Sequence, residues 1–372
     1  NLKYLTSRQA IEDIAEFIRQ KNEEKGGEQK WIVVGGGYAG NLAAWSRMLH
    51  PQLISGAIAS SAPIEAKLDF YGYFQALDKD FSDIGGLCYK QISEGLNEAT
   101  EMFESPQGRA DLSSIFQVKP PFSEYDVSEN DISLFYAHVI SPFIFAAQNN
   151  NPTVPQLCDR FTSKGDRYDP LLALRDINPY LHMNVNFNYT ANVEKFGKTN
   201  YGDNVESRLW MYQRCAEFGF IQSSNTGDNV FGQTQSSNLF IDYCQDLFGI
   251  SAEDIQRNVD ATNKLYGGKD YFTGTNVIFT HGTVDPWTPL TKTNDPKHWS
   301  VIIAEIEGGW HSSDLGISCD LIPPNCANNN MAQVQSLTIK TIERWMNPIF
   351  TVPDQGKTNF HSHIHFILRV FS

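Results

Sequence analysis

The 372-residue chain carries 41% apolar and 12% aromatic residues against 19% charged ones, a globular composition that excludes an intrinsically disordered protein. Its formal net charge of −14 would repel phosphates, which argues against nucleic acid and anionic membranes as partners. No apolar run reaches the roughly 18 residues that cross a bilayer; the stretch from Phe135 to Ala147 is broken by His138, Ser141 and Pro142.

In chain order, Thr6 and Gln9 form a T-x-x-Q capping box before Ala10, Ile11, Ile14, Ala15 and Ile18 at helical spacing, so a helix is expected from residue 7 to about 25, ended by Gly26-Gly27. Trp31 to Val34 reads as a strand buried on both faces. The turn Gly35-Gly36-Gly37-Tyr38-Ala39-Gly40 leads into a helix from about Asn41 to Leu49, and Ile54 to Ser60 is a second buried strand. Strand, helix and strand within about 30 residues form a βαβ unit and hence a parallel sheet. From about Phe70 to Tyr266 the strand signals give way to helical periods such as Leu87 to Phe103. Strands return at Asn276 to Thr280 and Val301 to Ile306, followed by a helix from about Met331 to Trp345. The expected division is a discontinuous core, 1–69 and 270–348, a helical insertion, 70–269, and a tail, 349–372, with no partner.

Six cysteines, Cys88, Cys158, Cys215, Cys244, Cys319 and Cys326, include no C-x-x-C pair. Their even number and wide gaps suit three disulfides in an oxidising compartment. Cys319 and Cys326 close the shortest loop, and the pairing of the other four stays open. Asn188-Tyr189-Thr190 is one glycosylation sequon. The opening NLKYLTSRQA already starts a helix and shows no signal peptide, so the chain is either cytosolic or lacks its upstream part.

The glycine-rich turn has two readings. Gly35-x-Gly37-x-x-Gly40 satisfies the dinucleotide fingerprint, which also wants an acid at the end of the next strand to hold a ribose. That strand ends in Ser60-Ser61-Ala62-Pro63, and the first acid beyond is Glu65. The other reading is the nucleophile elbow G-x-S-x-G, where a sharp strand-to-helix turn lifts a hydroxyl above the sheet. Gly35 and Ala39 supply the small flanking residues, but Gly37 stands where serine belongs. Asp285 in FTHGTVDPW and His311 in IEGGWHSSDL each follow a strand, in the order nucleophile, acid, base of a hydrolase triad. No cofactor is called for by the elbow reading.

Seven blocks carry a family resemblance: YLTSRQAIEDIAEF from Tyr4, GGGYAGNLAAWSR from Gly35, GAIASSAP from Gly56, DFYGYF from Asp69, LWMYQRCAEFGF from Leu209, HGTVDPWTP from His281 and GGWHSSDL from Gly308. The chain resembles the lysosomal Pro-X carboxypeptidase, dipeptidyl peptidase II and thymus-specific serine peptidase family. The resemblance implies an α/β-hydrolase core with an incomplete parallel sheet and a large helical insertion, secreted or lysosomal residence, and a serine exopeptidase acting next to proline or small residues. It places the triad acid on Asp285, the base on His311, an oxyanion-hole N–H on Tyr38, and Trp287 beside a proline pocket, although a plain core role for Trp287 remains open. It implies proline-containing peptides as partners and allows a homodimer; carboxypeptidase against dipeptidyl peptidase action is left open.

Two departures matter. The family has GGSYAG or GGSYGG at the elbow and begins well upstream, so the chain is expected to be a fragment, with its signal peptide in the missing part. Glycine offers no nucleophilic oxygen; loss of the triad serine costs about 2 × 10⁶ in turnover in a well-characterised serine protease. The expectation is a catalytically inactive homologue that still binds peptides. One alternative is an active peptidase in which a serine at this position has been misread as Gly37, since serine AGC and glycine GGC differ by one base. The other is a nucleotide-binding oxidoreductase. Ser60 and Ser61 should point elsewhere. His361-x-His363-x-His365 has strand-like metal spacing but sits in an unanchored tail, so no metal site is expected. His281 reads as a turn or packing residue, Asp314 as the cap of a short helix, and Glu253-Asp254 as the first turn of a helix.

Overall fold

In the computed structural model, the described residues are 2–178, 186–200, 202, 204–316, 330–347 and 366–367. Among them the strands are β1 (Ile32–Gly36), β2 (Gly56–Ser60), β3 (Lys67–Phe70), β4 (Gly219–Gln222), β5 (Val277–Gly282), β6 (Val301–Ile306) and β7 (Phe366–Ile367). By compactness the chain divides into one unit of 1–66 and 261–372 and another of 67–260. The second boundary falls inside the helix Ala252–Tyr266.

The first unit is built on a parallel sheet in the order β6-β5-β2-β1-β7. Ile32 pairs with Gly56, Ala57 with Val277 and Val277 with Val301, which brings the carboxyl ends of β1, β2, β5 and β6 to one edge. The β1 and β2 residues are apolar at nearly every position, as strands covered on both faces must be. The closing helix Met331–Met346 packs Ile342, Trp345 and Met346 on Ile32, Ile58 and Ile278, and Met331 and Val334 on Ala304 and Ile306. Helix α1 (Ser7–Glu24) buries Ile11, Ile14, Ala15 and Ile18. Thr6 Oγ1 accepts the Gln9 N–H at 3.1 Å, but the Gln9 side chain donates forward to Asp13, so only half of the expected capping box forms. Helix α2 (Tyr38–Leu49) begins three residues earlier than expected, directly at the turn. Its Trp45 stacks on Tyr266 with ring centroids 3.8 Å apart, and Tyr266 shares a hydrogen bond with Ser7. The tail is not wholly without a partner: Phe366–Ile367 pairs in parallel with Ile32 and Val33 of β1.

The second unit is chiefly helical, with β3 and β4 as a two-stranded parallel pair. Its core is a lattice of edge-on rings in which Phe143 meets Phe81, Phe161 and Phe231. Disulfides join Cys88 to Cys158 and Cys215 to Cys244; Cys319 and Cys326 lie outside the described residues. The block LWMYQRCAEFGF is structural here. Cys215 is cross-linked, and the Arg214 guanidinium donates to the Gly219 and Phe220 carbonyls while lying over the Phe240 ring. Burial pushes Arg214 down to about 9.

Candidate active site

The turn after β1 is set by close approach and backbone conformation. A Cβ on Gly35 would fall 2.1 Å from the Ala39 carbonyl oxygen, so α2 can start so near the strand only with glycine there. Gly37 adopts φ 57, ψ −129, a region that ordinary residues enter at a cost of about 1–3 kcal/mol. Its N–H donates to the Ser60 carbonyl at 2.9 Å, and its own carbonyl accepts from Gly40 and Asn41. Tyr38 is the first residue of α2, which places its N–H at the positive end of the helix.

Asp285 lies in the turn after β5. Its side chain is fully buried, its Oδ1 accepts the Trp287 N–H at 3.0 Å, and both carboxylate oxygens lie 3.1 Å from His311 Nδ1. A proton on Nδ1 donated to this carboxylate leaves Nε2 as the basic nitrogen. The His311 side chain retains 11% exposure, and the Trp287 ring lies 6.0 Å from the imidazole, centroid to centroid. The two loops are laced together: Val284 N–H donates to the Gly309 carbonyl and Thr283 N–H to that of Ile306, and Gly308 N–H donates to Thr283 Oγ1.

The histidine loop also touches the elbow. A Cβ on Gly36 would meet Ser312 Oγ at 2.5 Å, so the residue before Gly37 packs on the residue after His311. No motif or spacing signals this contact, nor the work of four polar residues around it. Ser61, with left-handed backbone at φ 47, accepts the Ser312 N–H at 2.8 Å. Ser60 donates to Asp314, as does Thr280 at 2.8 Å. Both serines are thus held by the histidine loop, and Asp314 ties strand ends together instead of merely capping its short helix.

The remaining candidates fall elsewhere. His281 is in β5 and not in a turn; it is buried, with Nε2 3.4 Å from Glu305 Oε2 of β6, and burial lowers its proton affinity. Ser251 and Asp254 bond reciprocally at the start of the helix Ala252–Tyr266. Asn188 Oδ1 accepts the Ala191 N–H, capping the helix Tyr189–Gly197. His361, His363 and His365 lie outside the described residues. Among the described residues no helix is long and apolar enough to cross a membrane.

The family Serine carboxypeptidase S28 matches residues 1–328. The chain belongs to that family. It is 30% identical to the human thymus-specific serine protease over 78% of this chain and 60% of the relative. It is 27% identical to the human lysosomal Pro-X carboxypeptidase over 94% of this chain and 70% of the relative. A Caenorhabditis elegans protein that bears a serine-protease name is 31% identical over 86% of this chain and 64% of its own length. The chain thus spans less than two thirds of the length of several curated relatives it matches.

Proposed function

We propose that this serine peptidase family member binds peptides containing proline or small residues and does not cleave them. The observation that carries the reading is Gly37 at the tip of the β1–α2 turn, beside an intact Asp285–His311 pair. In acyl transfer a hydroxyl at residue 37 would attack the carbonyl while His311 Nε2 takes its proton, Asp285 holds the imidazole, and the Tyr38 N–H faces the developing oxyanion. Glycine removes the attacking atom and leaves the rest. Ser60 and Ser61 do not replace it, because their hydroxyls serve Asp314 and the Ser312 N–H.

Trp287 supplies a flat apolar wall beside His311, suited to a pyrrolidine ring. Two disulfides fit a secreted or lysosomal protein, as does the lysosomal relative, and Asn188 is its glycosylation site. A homodimer is part of the same reading.

A second reading is favoured by the same retained pair: an active peptidase with serine at position 37. Sequencing the codon separates the two. The function itself is tested by incubating the full chain, with residue 37 as found and restored to serine, with proline-containing peptides. Binding without cleavage by the first, and cleavage only by the second, supports the proposal; cleavage by the first refutes it.

A further inference from the structure

His311 is held on one side by Asp285, but the backbone that carries it is anchored on the other side by Asp314. Two of the three residues after His311, Ser312 and Asp314, are fastened to the ends of two strands and to a helix. Ser312 N–H donates to Ser61 Oγ beyond β2. The Asp314 carboxylate accepts from Ser60 at the end of β2 through Oδ1 and from Thr280 of β5 through Oδ2. The Asp314 carbonyl accepts from Gln335 of the closing helix at 3.1 Å. Ser61 and Ser312 both hold left-handed backbone, φ 47 and φ 55, which non-glycine residues keep only where their surroundings impose it.

We infer that Asp314 is a positioning residue, whose carboxylate clamps the turn after His311 to the ends of β2 and β5 and so fixes the imidazole against Asp285. An ordinary helix cap directs its oxygens to N–H groups of its own first turn. Here each oxygen takes a hydroxyl from a different strand of the sheet, and the strands are adjacent. Burial pushes the Asp314 carboxyl above its ordinary range, and the two hydroxyl bonds act in the opposite direction. The inference rests on His311 as the base of the proposed site.

The test is the His311 Nδ1–H signal by NMR in the full chain with ¹⁵N-labelled histidine, assigned by its loss in His311→Ala. In Asp314→Ala that signal is expected to broaden and disappear through exchange with solvent, because a loosened imidazole no longer holds its hydrogen bond to Asp285. Asp314→Asn, which can accept one hydroxyl and donate to the other, restores it. A folded Asp314→Ala with an unchanged signal overturns the inference. If that variant does not fold, Ser60→Ala with Thr280→Val removes both bonds and leaves the carboxylate; an unchanged signal there overturns it equally. In the Gly37→Ser background, Asp314→Ala should lower kcat about 10- to 100-fold with KM nearly constant. Absence of activity in Gly37→Ser itself would count against the proposed function, while the ring signal still decides the role of Asp314.

Discussion

The turn after β1 and the loops after β5 and β6 reach the same edge of the sheet, yet they have kept different things. The turn keeps its backbone, with Gly35 against Ala39 and residue 37 at φ 57, and has no reactive atom. The loops keep both shape and chemistry, with His311 Nδ1 at 3.1 Å from each oxygen of a buried carboxylate. Shape and reactivity are therefore separable at this site. Serine at the elbow must be held in a strained conformation, at about 1–3 kcal/mol, whereas glycine occupies it with little penalty. Under the proposed function, glycine at position 37 relaxes the turn and removes the attacking atom, while the Asp285–His311 pair forms without a hydroxyl there.

The contrast can be broken most forcefully by restoring the atom. Gly37→Ser should raise peptide turnover from background by as much as roughly 10⁶-fold, measured as kcat on a proline-containing peptide; no gain would mean that the loops are not poised for chemistry. In that background Asp285→Asn should lower kcat by about 10⁴-fold through the wrong imidazole tautomer, and a loss below about tenfold would sever the pair from the reaction. Turning to stability, Gly35→Ala should cost about 3 kcal/mol, since its Cβ meets a backbone carbonyl at 2.1 Å that cannot move without α2. Gly37→Ala should cost about 1–2 kcal/mol from backbone strain alone. Denaturant unfolding measures both, and the reverse order would mean that torsion, not space, shapes the turn. The smallest effect belongs to His281 at the end of β5. Burial lowers its folded pKa below the ordinary 6.5, so the unfolded chain binds the proton more readily and stability falls as pH drops below about 6.5. His281→Gln should flatten that part of the melting-temperature profile; an unchanged slope would assign the acid sensitivity elsewhere.

Periodicity locates the parallel core because its strands are continuous apolar runs between turn signals. Ile32–Gly36, Gly56–Ser60, Val277–Gly282 and Val301–Ile306 each lie within a residue or two of the expected span. The pairing of Asp285 with His311 is legible through strand order, which puts both loops at one edge. The clamp is not. Ser60, Ser61, Thr280 and Asp314 are small polar residues with no periodic signature, and they meet only because the register aligns Ser60 with Thr280. Asp314 reads as a cap because its sequence neighbours suggest a short helix, while its partners lie 254 and 34 residues away. The pairing of β7 with β1 is equally invisible, since a two-residue segment carries no pattern.

The most direct measurement is the intact mass of the full chain after treatment with a fluorophosphonate, which forms a covalent adduct with an activated serine. The protein with Gly37 should remain unmodified under conditions that give Gly37→Ser one adduct dependent on His311. A stoichiometric, His311-dependent adduct on the protein with Gly37 would contradict the account.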